Sequence, residues 1–318
     1  MLTDLPGVQV GHSTDPQAQT GCTVVLFPPG TVAAAEVRGG APASRELAVL
    51  APEATVAHID AAVLTGGSAY GLAAVDGVLR FCEERGRGVP TPGGPVPIVP
   101  GLALFDLGVG DPRTRPNAEA GYAAAVAAER DEPAGLGPVG AGTGARVGHR
   151  HGAAAAGPGG IRAATARHGE LVVGALVAVN GYGDIDVDGR GLDRLATDLA
   201  AGQELGPRAL FGHTTIGVIA TNARLDKLGC LIVAQGAHDG LARAITPAHT
   251  RYDGDAFISA ATGAVPAEID AVRALAAAVV ERAIRTASPA HSQDGRDGQR
   301  RSPSTSRGRA KRVNDEAG

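Results

Sequence analysis

The chain has 318 residues, a formal net charge of −4 and 44% hydrophobic residues, enough apolar material for one large core or two small ones. A charge near neutral and 3% aromatic content argue against a nucleic-acid surface, which needs a basic footprint and stacking platforms. No run of about 18 apolar residues offers a membrane span, and Met1-Leu2-Thr3-Asp4 lacks the basic and apolar parts of a signal peptide, so a cytoplasmic protein without membrane partners is expected.

The first 70 residues alternate apolar runs with turn residues. Strands are expected over 8–10, 23–27, 31–37 and 62–64, punctuated by Pro28-Pro29-Gly30 and Gly39-Gly40-Ala41-Pro42. Gly66-Gly67 lets a backbone pass close to a neighbour, and Ser68 is placed to cap a helix over 71–85 closed by Gly86. A Gly- and Pro-rich stretch then surrounds a strand entering the core at 100–104, and Asn117 caps an alanine-rich helix to about residue 130. Cys22, Cys82 and Cys230 are widely spaced with no Cys-x-x-Cys pair, which reads as buried small side chains rather than a disulfide framework or a zinc site.

The glycine-rich stretch 140–148 resembles a dinucleotide fingerprint but is followed by Gly, Ala and Pro, which cannot start the helix such a site needs. Two readings remain: a loop whose backbone N–H groups, around Gly142 and Thr143, face an anion or oxyanion, or a plain tight turn. Residues 171–179 form a fully apolar strand ending at Asn180, a candidate amide donor or an ordinary turn residue. Residues 184–212 carry many charges and are expected as an exposed, mobile linker. A buried strand follows over 216–220, with Thr214 and Thr215 at its mouth, then a helix over about 225–245 stopped by Pro247. The turn at Tyr252-Asp253-Gly254-Asp255 is a solvated tip or, with further oxygen ligands, a cation site. An apolar segment over 256–261 and an amphipathic helix over 268–286 complete the ordered unit, and 287–318 is polar enough to be disordered.

The order Val37-Arg38-Gly39-Gly40-Ala41-Pro42, Gly66-Gly67-Ser68-Ala69-Tyr70-Gly71-Leu72, the 140–148 loop, Ala178-Val179-Asn180, Thr214-Thr215-Ile216 and Asp253-Gly254-Asp255 resembles the DmpA-type aminopeptidases. Within them it is most similar to the endo-type 6-aminohexanoate-oligomer (nylon-oligomer) hydrolases. The resemblance spans roughly residues 1–285. It implies an α/β fold, a four-layer αββα sandwich in one domain, and a precursor that cuts itself between His213 and Thr214 into chains 1–213 and 214–318. It also implies a small amide or peptide substrate, no cofactor and no metal, and a homotetramer of αβ units.

General chemistry explains why such a cut would matter. A Thr hydroxyl needs an adjacent base to act as a nucleophile at neutral pH, and the α-amine freed by cleavage is one, titrating near about 7.7–8.0. By resemblance Thr214 is that nucleophile, the Asn180 amide faces the oxyanion, and Asp253 and Asp255 orient the Thr214 amine and hydroxyl. Gly67, Ser68, Tyr70, Phe105, Gly142 and Thr143 are placed around the substrate and oxyanion. Two departures stand out: His149 replaces a family Lys and Phe105 a family Tyr, so a fixed positive charge and a hydroxyl are both lost. Rival expectations are acyl transfer to an amine, as in the similarly built ornithine acetyltransferases, and a non-processing binding protein that kept the fold.

Overall fold

The computed structural model describes residues 1–205 and 212–286. The expected tail disorder over 287–318, and residues 206–211 of the expected linker, lie outside the described residues. Two five-stranded sheets form the centre of the molecule. Their strands are β1 (Gln9–Asp15), β2 (Thr20–Leu26), β3 (Val32–Val37), β4 (Ala43–Arg45), β5 (Ala61–Thr65), β6 (Gly101–Ala103), β7 (Gly160–His168), β8 (Leu171–Val179), β9 (Ile216–Ala223) and β10 (Ala256–Val265). The first sheet runs β1-β2-β5-β6-β4 and the second β7-β8-β9-β10-β3, so β3 crosses from the first half of the chain to the edge of the second sheet. The helices are α1 (Ala74–Glu84), α2 (Ala118–Glu129), α3 (Gly191–Ala200), α4 (Lys227–Ala244) and α5 (Ile269–Arg285).

Side-chain alternation shows how the layers stack. On β8, Val172, Leu176 and Ala178 join Leu64, Leu102 and Leu104 of the first sheet in the central core. Leu171, Val173, Val177 and Val179 point the other way, against Val233 and Leu241 of α4 and Val279 and Ile284 of α5. On the far side Val24 and Val63 pack on Val75 and Phe81 of α1 and on Ala124 of α2. The order is therefore helix, sheet, sheet, helix: the four-layer αββα sandwich expected from the sequence. Strands β8 and β9 are buried at every position, because each has a neighbour on both edges and a layer on both faces. Helices α1 and α2 touch through Gly77 and Gly121, where an added Cβ would come within 1.7 Å and 1.8 Å of Ala118 O and Ala74 O.

Two expectations are corrected. Ser68 does not cap a long helix: a short turn, Ser68–Gly71, has Gly67 at its N-cap without a side-chain bond, and α1 starts separately at Ala74. Residues 184–205 are not a bare linker, since Asp184–Ile185 pairs with Ile245–Thr246 and α3 follows at the surface. Charge density alone suggested a loop; the Leu192, Leu195 and Leu199 spacing within it is helical.

Lys227 opens α4 and is 7% exposed, with Nζ donating to Val49 O, Ala54 O and Val56 O at 2.9, 2.9 and 3.0 Å. This ammonium ties the loop before β5 to the second sheet's helix layer. Lys227→Met would strand those carbonyls and is expected to lower unfolding free energy by about 2–3 kcal/mol, read by urea titration. Among the described residues no helix is long and apolar enough to cross a membrane.

Candidate active site

Three strand ends meet at one point, and the pairing pattern puts them there. β8 lies antiparallel to β9 with Ala178 opposite Ile216, so Asn180, just past β8, reaches Thr214, just before β9. The Thr214 N–H donates to Asn180 O at 2.6 Å. On the other edge β10 runs parallel to β9 with Ile216 opposite Ala256, which aligns the Asp253-Gly254-Asp255 turn with His213 and Thr214. Thr214 is 4% exposed and Thr215 1%.

The Thr214 hydroxyl donates to the carbonyl of the preceding residue, His213 O. The same oxygen accepts the Gly254 N–H at 3.2 Å. A side-chain hydroxyl and a backbone N–H thus converge on one carbonyl oxygen. No side chain fits at 254, because a Cβ there would lie 2.8 Å from Thr214 Oγ1 and 2.9 Å from Ala41 O.

Both carboxylates are 2% exposed, and their oxygens face N–H and O–H donors. Asp255 accepts Thr215 N–H on Oδ1 at 2.8 Å, and on Oδ2 the His249 backbone N–H at 3.0 Å and ring Nδ1–H at 2.9 Å. Asp253 accepts Tyr182 N–H on Oδ1 at 3.3 Å, and on Oδ2 Thr250 N–H at 2.9 Å and the Thr250 hydroxyl at 2.5 Å. Burial, then the charge of Asp255, pushes the Asp253 carboxyl up. Asp255 thus holds the backbone just after Thr214 and Asp253 the turn that carries Gly254, and neither carboxylate bonds the Thr214 hydroxyl. Behind Asp255, the His249 ring is 4.8 Å from the His238 ring, whose Nε2 donates to Glu36 O at 3.0 Å. Burial above all holds His238 down at about 4.

Asn180 is placed beside the peptide but serves a different oxygen from the one expected. Its Nδ2 donates to Phe105 O at 3.0 Å and Gly212 O at 3.3 Å, while Oδ1 accepts Arg146 N–H at 2.8 Å. At His213 O the observed main-chain donor is Gly254. The His149 ring meets the His213 ring at a tilt of 47° with centroids 4.4 Å apart, and the Tyr182 ring lies 5.1 Å from that of His213. Burial first, then the neighbouring His149, lowers His213 to about 4; burial lowers His149 as well. His149 Nε2 and His213 Nδ1 are buried without a hydrogen-bond partner.

Gly212 and His213 separate two cavities. One, of about 640 Å³, is lined by Phe105, Arg146, His149 and Asn180; the other, of about 320 Å³, by Ala41, Ser68, Phe105 and Thr214. Phe105 thus borders both cavities and Ser68 the smaller one. Gly67 supports them from behind, with φ of +79° and its N–H on Asp106 Oδ1 at 2.7 Å. Tyr70 is 62% exposed under Arg115, 4.0 Å from its ring centroid, and lines neither cavity.

The 140–148 loop does not present its amides to an anion. Gly140 N–H and Ala141 N–H donate to the Thr14 and Thr23 hydroxyls, Gly142 N–H to Val139 O, and Thr143 N–H and hydroxyl to Gly140 O. The hydroxyls that absorb them come from β1 and β2, far off in sequence, so local composition gave no warning. Sequence reasoning also missed His249 and the Gly254 N–H. His249 carried a usable signal, lying between a helix-stopping Pro247 and two acids. A backbone donor carries none.

The layer order is that of the N-terminal-nucleophile hydrolase fold, and with the family and relatives given next it defines the class: an amide-bond hydrolase. In solved structures the same fold occurs in a Burkholderia sp. beta-aminopeptidase, with TM-score 0.69 and 24% identity over 89% of this chain and 84% of that one. It recurs in the L-aminopeptidase D-Ala-esterase/amidase of Ochrobactrum anthropi, with TM-score 0.65 and 19% identity over 89% and 84%. The peptidase family S58 model matches residues 1–301, and the chain belongs to that family. An uncharacterized aminopeptidase of Mycobacterium leprae is 46% identical over 294 residues, covering 84% of this chain and 79% of that protein. The 6-aminohexanoate-oligomer endohydrolase of Kocuria sp. is 30% identical over 278 residues, covering 81% and 74%.

Proposed function

We propose that the chain is a precursor that cuts itself between His213 and Thr214 and then uses Thr214 to hydrolyse amide bonds of small peptides or linear amide oligomers. One observation carries this: a hydroxyl and a backbone N–H both engage the carbonyl of the bond to be cut. The Thr214 oxygen adds to the His213 carbonyl carbon, and the Gly254 N–H stabilises charge growing on the carbonyl oxygen. The C–N bond breaks, and the hydroxyl proton ends on the departing nitrogen. Water then splits the ester, leaving a carboxylate on His213 and a free amine and hydroxyl on Thr214.

In the cut enzyme that amine, formerly the N–H held by Asn180 O, takes the hydroxyl proton in each turnover. Asp255 fixes Thr215 and Asp253 fixes the turn carrying Gly254, so the two acids position the nucleophile through the backbone. Relatives named as aminopeptidases and as 6-aminohexanoate-oligomer endohydrolases support an amide substrate of this kind. Assembly as a homotetramer of αβ units in the cytoplasm completes the proposal. On a denaturing gel purified protein gives two fragments, and terminal sequencing finds Thr214 at the start of the smaller. A single intact chain after prolonged incubation rejects self-cleavage.

A further inference from the structure

The Arg38-Gly39-Gly40-Ala41 loop after β3 holds the backbone of the acidic turn from one side. Arg38 N–H and Gly39 N–H donate to Asp255 O at 3.0 and 3.2 Å, Gly40 N–H to Thr250 O at 3.1 Å and Ala41 N–H to Asp253 O at 2.8 Å. Approach this close needs the two glycines: a Cβ at 39 would strike Asp255 N and Asp253 O, and one at 40 would lie 2.7 Å from Arg251 Cα. All four bonds go to main-chain carbonyls, so the loop sets the path of the turn and leaves the carboxylates to be aimed by other donors.

For Asp255 the aiming group is His249. Its backbone N–H and ring Nδ1–H both donate to Oδ2, at 3.0 and 2.9 Å, which leaves Oδ1 on Thr215 N–H at 2.8 Å. Among the described residues this ring is the one side chain that bonds Asp255. His249 lies in the left-handed region with φ of +55°, a conformation that a residue with a side chain keeps only where its surroundings hold it. Here α4 does so. The ring meets the His238 ring edge-on with centroids 4.8 Å apart, its Nε2 lies 3.4 Å from His238 O, and His238 is itself tied by Nε2 to Glu36 O of β3 at 3.0 Å.

We propose that His249 is a positioning residue of the hydrolysis: its ring Nδ1–H orients the Asp255 carboxylate so that Oδ1 holds Thr215 N–H and, through that backbone, the Thr214 hydroxyl against the carbonyl it attacks. It works through Asp255 and donates no proton to the reacting atoms. This rests on Thr214 as the nucleophile.

The left-handed backbone lets the ring be removed cleanly. His249→Gly keeps the main-chain conformation and the backbone N–H to Oδ2, and His249→Asn, also tolerant of that conformation, returns an N–H donor close to the place of Nδ1. His249→Gly is expected to cut itself roughly 10- to 100-fold more slowly; once cut, it hydrolyses 6-aminohexanoyl p-nitroanilide with kcat lower by a similar factor and KM within about 2-fold of the original. His249→Asn recovers both rates to within about 5-fold. Full kcat in His249→Gly overturns the proposal, as does a rise in KM alone, which would put the ring at the substrate. A folded asparagine variant as slow as the glycine one overturns it too, because ring packing rather than the donor would then carry the effect. Should His249→Gly fail to fold, His249→Asn decides alone: recovery within about 5-fold of the unmodified rates supports the role, and a folded variant more than about 10-fold slower rejects it. Fragments that start at Thr214 with no loss in His249→Gly refute the positioning role alone. Unmodified protein that turns over the anilide without ever cutting refutes self-cleavage, and the kcat comparison still decides His249.

Discussion

Thr214→Ala gives a single uncut chain with no amidase activity, while Thr215→Ala still yields two fragments. The hydroxyl lost in the first variant is the one seated on His213 O, and the Thr215 hydroxyl is buried without a partner. What Thr215 contributes is its N–H, held by Asp255 at 2.8 Å, and alanine keeps that. Removing a nucleophile from a group that acts as a unit costs on the order of 10⁶ in rate, so turnover falls to the background of the assay. Intact mass over time reads the cut, and release of a chromogenic amine reads turnover. Uncut Thr215→Ala with a cutting Thr214→Ala would shift the nucleophile by one position.

Far more of the fold than of the site was legible in the residues. β8 announced itself as an uninterrupted apolar run because it is sandwiched between two layers, and a strand buried on both faces has no position for a polar residue. β7 gave no such signal. It is an edge strand in which Arg162, Thr165 and Arg167 break the pattern, and Arg162 is buried only because its guanidinium donates to Ile284 O and Thr286 O at the end of α5. That partner lies 122 residues away in sequence, beyond any local pattern.

For the site, the order of motifs led to Thr214, Asn180, Asp253 and Asp255, whereas the chemistry of each residue alone did not. Two threonines at a strand mouth are ordinary. What separates them is register: β9 pairs antiparallel with β8 and parallel with β10, so its first residues alone meet both Asn180 and the acidic turn. Register is a long-range property, and the Gly254 N–H and the His249 support for Asp255 depend on it equally. Glycine-rich composition misled in the opposite direction at 140–148, where threonine hydroxyls from another part of the chain had already taken the amides.

Asp255→Asn tests whether the acidic turn acts through the backbone it holds. Every hydrogen-bond partner of this carboxylate is a donor: Thr215 N–H on Oδ1, and His249 N–H and Nδ1–H on Oδ2. An asparagine has one acceptor oxygen and one NH₂ group in their place. If the oxygen faces Thr215, the NH₂ meets the His249 backbone N–H, and a change of tautomer relieves only the ring. If the oxygen faces His249, the NH₂ meets Thr215 N–H and displaces the residue next to the nucleophile. One buried donor is orphaned either way, at about 1–3 kcal/mol. The variant is therefore expected to remain folded, with a midpoint lower by several degrees, and to cut at least about 100-fold more slowly, since a misplacement of about 1 Å costs that much in rate. Thermal unfolding reads the first effect and the time course of fragment appearance the second. A variant as stable as the original that still fails to cut would place Asp255 in direct proton transfer; one destabilised as expected yet cutting at full speed would remove it from the machinery.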